Sequence, residues 1–219
     1  MLKAAKEKIS ELDPNNEKGI MKHWVNRQSV GESFSAIHFS SFNGNIEISQ
    51  MLLDEGANKL AVNKNGLNCL HVAAQGDQPG SLYYFHKICG LEIKKSDSRG
   101  STPLHWAIFS QSELATVYIL AWLEVKDLTQ QDDEGNTAMH LAIKSAEGLE
   151  SSRPVRQLLF NGSPTNVADN DGLLPLDIAK DLENPKLRLD ILQSLQEQKT
   201  TLKQWLQYES QLKKQKRSW

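Results

Sequence analysis

Apolar positions recur along this chain in short bursts at helical spacing, separated by polar, glycine-bearing turns, and one four-residue phrase opens every second burst. The phrases are Ser35-Ala36-Ile37-His38, Asn68-Cys69-Leu70-His71, Thr102-Pro103-Leu104-His105, Thr137-Ala138-Met139-His140 and Leu174-Pro175-Leu176-Asp177, and their fourth letters lie 33, 34, 35 and 37 residues apart. A unit of that length, holding one turn and two short apolar bursts, cannot bury its own apolar face, so units must stack and cover one another. The pattern predicts an all-α array over 31–184 with Leu70, Leu104, Met139 and Leu176 in its core. A helical cap over 1–30 precedes it, and a long amphipathic helix with a basic tail over 185–219 follows.

Within a unit the boundaries follow from turn chemistry. In the first, the helices read as Ala36 to Phe42 and Ile46 to Glu55, around Asn43-Gly44-Asn45. Gly56 stands where a helix end favours a residue tolerant of positive φ. The second has an inter-helix turn, Gly76 to Gly80, that reads as long and Pro-bearing, and then an aromatic helix with Tyr83, Tyr84 and Phe85. In the third, Thr102 is placed to cap and Pro103 to occupy the first helical turn, where its missing N–H costs nothing. The fourth carries a loop, Ala146 to Pro154, expected to be stretched, and the fifth has Asp177 in place of histidine. Beyond Pro185, Leu189, Leu192, Leu195, Leu202, Trp205, Leu206 and Leu212 make an apolar stripe. Lys199, Glu209 and Lys213 interrupt a strict seven-residue seam, so a self-sufficient coiled coil is not expected. The part from Leu187 to Leu195 is expected to close the array, and the part with Trp205 to meet an external partner.

The T-P-L-H phrase at this period resembles the signature of ankyrin repeats and implies an ankyrin-repeat solenoid of about five repeats. A narrower likeness covers Asn65 to Pro79 with Ser81-Leu82-Tyr83-Tyr84-Phe85, and Gly100 to Ala107 with Tyr118-Ile119-Leu120-Ala121-Trp122. These stretches are similar to the arrays of ankyrin-bearing DHHC-type palmitoyltransferases, in which an array precedes transmembrane helices and a cysteine-rich, zinc-binding catalytic domain. The chain has no Asp-His-His-Cys quartet and no cysteine cluster, so the resemblance implies the array without the acyl transfer. It also implies that a groove grips extended peptides, with an aromatic residue at the position of Trp106.

Charge and composition narrow the functions. With 25 Lys+Arg against 27 Asp+Glu the chain lacks the basic footprint of a nucleic-acid binder. Its 2 cysteines, Cys69 and Cys89, form no disulfide framework, and the residues from Met1 to Pro14 have no apolar run of a secretory leader. A cytoplasmic setting is the expectation, with the cytoplasmic face of a membrane, the cytoskeleton or a cilium as alternatives.

Candidate chemistry is sparse. His38, His71, His105 and His140 occur one per repeat, about 10 Å apart by helix stacking. That is too far to share one zinc, whose ligands lie about 2 Å away. They read as structural ties between turns, so no metal and no cofactor is expected. No GxSxG, P-loop or HExxH occurs, and an enzyme is not expected. The register instead points to a concave groove lined by Phe42, Gln75, Phe109 and Lys144, flanked by Trp106 and by Arg99 at a turn tip, with Trp205 as a separate contact. Aromatic side chains are favoured interface anchors. The expected function is a non-catalytic adaptor or scaffold that holds an extended peptide or helix of another protein, within a larger multi-subunit assembly if the terminal helices act as tethers. The alternative is the substrate-recruiting domain of a membrane DHHC-type palmitoyltransferase. The run Lys213-Lys214-Gln215-Lys216-Arg217 suits contact with an anionic membrane surface.

Overall fold

The computed structural model describes residues 2–13 and 16–197. Trp205 and the basic run lie outside them. The described chain is helical without strands; one isolated antiparallel bridge joins Gln28 and Ser35. It divides into two compact units, 1–124 and 125–219.

The first unit opens with α1 (Leu2–Leu12) and α2 (Glu17–Val25), which buries Met21 and Val25. Three helix pairs follow: α3 (Ala36–Phe42) with α4 (Ile46–Asp54), α5 (Cys69–Gln75) with α6 (Pro79–Tyr83), and α7 (Pro103–Phe109) with α8 (Glu113–Leu120). The first helices stack α3 on α5 on α7. Ser41 secures one seam by donating to the Cys69 carbonyl at 2.7 Å, and Asp77 another by accepting from the Ala115 N–H at 2.7 Å. The hairpin tips are joined as well: Lys64 N–H donates to Glu32 O at 3.2 Å and Ser98 N–H to Asn65 O at 3.0 Å.

Two turn expectations change on inspection. Pro79 is the first residue of α6, so the turn before it is only Gly76-Asp77-Gln78, and the proline begins a helix instead of lengthening a loop. The aromatic run continues α6 as a π turn over Tyr84–Ile88, in which Cys89 N–H donates to Tyr84 O at 2.9 Å. This wider turn buries Phe85 while Lys87 reaches back over the Trp122 ring, 3.3 Å from its centre. His86 meets the Tyr118 hydroxyl at 3.1 Å.

In the second unit a short 3-10 turn (Val125–Thr129) leads to α9 (Ala138–Leu149), α10 (Arg153–Phe160), α11 (Pro175–Lys180) and α12, over 185–197. The extra residues of the fourth repeat lengthen α9 to 12 residues, and Glu150 ends it in the left-handed conformation at φ 48°. The expected long loop is therefore an extra helical turn, because Ala142, Ile143 and Ala146 bury an apolar face that stays in phase. α12 buries Leu187, Ile191 and Leu195 and places Asp190 against Ser152 and Arg156 of the α10 head, while Leu189 stays exposed. Leu176 is only half-buried, unlike Leu70, Leu104 and Met139, as suits the last repeat of a stack, which has a neighbour on one side.

Gly76 shows why seam positions are constrained. It ends α5 at φ −82°, and a Cβ there would run into the Phe42 carbonyl oxygen of α3, a backbone atom that cannot swing aside. Gly76→Ala is expected to cost about 1–3 kcal/mol as an overpacking defect. Urea unfolding checks this, and an unchanged midpoint would show the seam to be looser than described.

Candidate protein-binding face

Each repeat is built around its cap and histidine. In the first four, the cap residue's backbone N–H donates to histidine Nδ1, at 3.2 Å for Ser35 to His38 and Asn68 to His71, and 3.1 Å for Thr102 to His105 and Thr137 to His140. An accepting Nδ1 leaves the proton on Nε2. That nitrogen donates onward to the following hairpin: His38 to Ala61 O at 3.1 Å and Leu67 O at 3.2 Å, His71 to Ser101 O at 3.2 Å, and His140 to Leu173 O at 3.2 Å. The rings of His38, His71 and His140 are ties between repeats, with both nitrogens engaged. Burial pushes the His71 pKa down to about 4 and lowers those of His38 and His140. Asp177 reproduces half of the device, accepting the Leu174 N–H at 3.2 Å.

The thiols are held back from chemistry too. Cys69 is fully buried in the proline slot of its repeat, and burial pushes its pKa up to about 12. Among the described residues no group of three or more His, Cys, Asp or Glu is arranged to hold a metal ion, and no helix is long and apolar enough to cross a membrane.

The same register that buries the histidines leaves the residues one and four places further on at the surface in the first and third repeats, whereas in the second Val72 is buried. Phe42 at the end of α3 is 41% exposed and Phe109 at the end of α7 is 67% exposed. Gln75, at the same place on α5, is half-buried, and Lys144 on α9 is exposed. Trp106 is half-buried: its indole N–H donates to Asp97 Oδ2 at 2.9 Å, and its ring meets Phe109 edge-on at 6.0 Å between centres. Asp97 Oδ1 accepts the N–H groups of Arg99 and Ser101, so one carboxylate fixes both the hairpin tip and the tryptophan. Arg99 projects from that tip, exposed. Lys144 is engaged internally, donating to Asn136 Oδ1 at 2.6 Å and lying 3.7 Å from Asp169 Oδ2.

One residue escapes the sequence reading. Phe39, 54% exposed, occupies on α3 the place of Trp106 on α7 and meets Phe34 edge-on at 5.9 Å. Its signal was available, because it follows His38 as Trp106 follows His105. Not every hairpin residue is available: Leu67 and Asn136 turn inward and are buried at 3% and 1% exposure, because the hairpin closes over them.

The repeats, their paired helices and their histidine ties define a protein-interaction array. Comparison with known proteins agrees: the family model described as ankyrin repeats (3 copies) matches residues 43–125 and 70–169. The chain belongs to the ankyrin-repeat family, as an all-α ankyrin solenoid. It is 26% identical over 175 residues to an L-asparaginase of Dirofilaria immitis, covering 66% of this chain and 29% of that protein. It is 26% identical over 183 residues to the cell division cycle-related protein res1/sct1 of Schizosaccharomyces pombe, covering 74% of this chain and 28% of that one. To the ankyrin repeat-containing protein kinase A of Dictyostelium discoideum it is 32% identical over 82 residues, 37% of this chain and 6% of the kinase. The chain thus spans less than a third of the length of each of these relatives.

Proposed function

We propose that this chain is a non-catalytic adaptor or scaffold that holds another protein against the exposed face of its first helices. The observation that carries the reading is the set of large apolar rings left in water there: Phe39, Phe42 and Phe109, with Trp106 fixed beside them. Exposed apolar patches on an otherwise polar surface mark interaction sites. Gln75 and Arg99 supply polar contacts in the first unit and Lys144 in the second, while Trp205 belongs to a separate contact outside the described residues. The setting is cytoplasmic, within a larger assembly.

Charge at the ring positions tests this. Phe42→Glu and Phe109→Glu are expected to abolish affinity capture of partners from native lysate while moving the unfolding free energy by less than about 0.5 kcal/mol, because neither ring is in the core. A collapse of the melt would assign the rings to the core and remove the reading.

The second reading is the recruiting domain of a membrane palmitoyltransferase, favoured by the aromatic stretches of the second and third repeats. Of these, Leu82, Phe85 and Ile119 are fully buried, so much of that likeness sits at packing positions. A longer reading frame carrying Asp-His-His-Cys and several apolar spans would decide for it, and the basic tail would then lie near the bilayer.

A further inference from the structure

Helix α8 of the first unit is apolar on both its sides. From Leu114 to Leu123, through the helix and the turn that ends it, no residue is charged. Its inner side buries Ala115, Ile119 and Leu120, while Leu114, Val117 and Trp122 are 60%, 55% and 47% exposed. A helix apolar all round is normally covered all round. The surface continues onto α6 and its π turn, which pack beside α8 and add Tyr83 and Ile88, 51% and 62% exposed. The pattern is no general habit of second helices, since α10 exposes Arg153 and Arg156 instead.

The aromatic part of this face is fixed in advance. His86 meets the Tyr118 hydroxyl and stands edge-on to the Trp122 ring at 5.4 Å between centres, and the Lys87 ammonium lies over that ring. Side chains already held lose little freedom on association. With about 100 Å² left on each large side chain, the patch is on the order of 600 Å². That is the upper end of what a monomer leaves in water. Two such patches face to face would cover about 1,200 Å², the lower bound of a stable specific interface.

The rim carries both signs. Asp77 and Glu113 stand at the start of α8, Lys87 at the other end over Trp122, and Glu124 just beyond it. His86 is neutral at pH 7, because burial and then the Lys87 charge lower its pKa. A mixed rim has no single-sign field to draw an anionic lipid surface. Nor does it repel an identical rim, as one of a single sign would. A surface that meets its own copy about a two-fold axis must be compatible with itself in this way. We infer that a second copy of this chain docks here, in an isologous dimer with Val117 and Tyr118, the middle of the uncharged run, nearest the axis. The first helices form the other layer of the unit, so Phe42 and Phe109 stay open in both copies and the dimer is bivalent for a partner.

Sedimentation of the full chain between about 1 and 100 µM tests this. The mass is expected to rise reversibly from one chain to two, with a midpoint in the micromolar range for so small an interface. Leu114→Glu and Val117→Glu each set like charges in both copies and are expected to weaken the dimer by more than about tenfold, with the monomer's circular dichroism and melt unchanged. Tyr83→Glu on α6 does the same should either substitution unfold α8. Phe42→Glu leaves the dimer intact, which separates this face from the capture face. A chain that stays monomeric throughout overturns the inference and leaves the face to a different protein. A dimer indifferent to all three charge substitutions overturns it as well.

Discussion

Truncating Leu104 to alanine lowers the free energy of unfolding by about 2–5 kcal/mol, the range for a buried leucine whose cavity cannot fully collapse. Leu104 is 2% exposed on α7, with α5 on one side and α8 behind it, so its loss weakens an interface as well as a repeat. In an array, stability is close to a sum of repeat terms and nearest-neighbour terms, and a central defect is felt across more than one of them. Leu176→Ala provides the internal contrast: it occupies the same place in the fifth repeat but is half-buried, and a smaller loss is expected. Chemical denaturation followed by circular dichroism reads both. Equal losses at the two sites, or a Leu104 effect below about 0.5 kcal/mol, would contradict the difference in burial between them.

Acid should unfold the array through its histidines. Burial is the main cause of the low His71 pKa; the nearby Asp97 carboxylate and the carbonyls of Ser101 and Lys95 pull it upward, and His105 pushes it further down. In the unfolded chain the ring titrates near its ordinary value of 6.5, and in the folded chain at about 4. Between those values the unfolded state binds the extra proton, so stability is complete above the unfolded pKa and is lost as pH falls through the window toward the folded one. The single ring accounts for about 3 kcal/mol by pH 4, and His38 and His140, shifted the same way, add to it. Melting curves from pH 7.5 downward check this, with His71→Gln as control: the variant should be weaker at neutral pH but flatter between about pH 6.5 and 4.5. A wild-type curve as flat as the variant's would contradict the buried, neutral ring.

Much of this was legible in the chain of letters because the repeat speaks five times. Ser35, Asn68, Thr102 and Thr137 announce helix starts, and the bounds of α3 follow directly from the first phrase. The less legible places are those where two local rules compete. Gly76-Asp77-Gln78-Pro79-Gly80 looks like a loop by composition, yet proline is also a favoured first residue of a helix, and packing of Leu82 and Phe85 selects the helix. The stretch after Ile143 looks like an insertion in a loop, yet burial of Ala146 prolongs α9.

The candidate face divides in the same way. Register alone gives Phe42, Gln75, Phe109 and Lys144 the same place on the first helix of their own repeats, because a period near 33 repeats the same orientation of the helix. It could not say that the Trp106 indole would be pinned by Asp97, that Lys144 would turn to Asn136 and Asp169, or that Leu67 and Asn136 would fold inward. Those outcomes depend on which groups from a hairpin and the helix after it come within hydrogen-bonding distance.

By itself, then, the sequence determined the kind of protein: the period, the caps and the apolar phase are local quantities, repeated often enough to outvote any single exception. Only the tertiary structure decided which side chains remain available to a partner. Availability is what is left after neighbouring repeats have taken their hydrogen bonds and buried their surface, and it is a property of pairs of repeats that no one segment encodes.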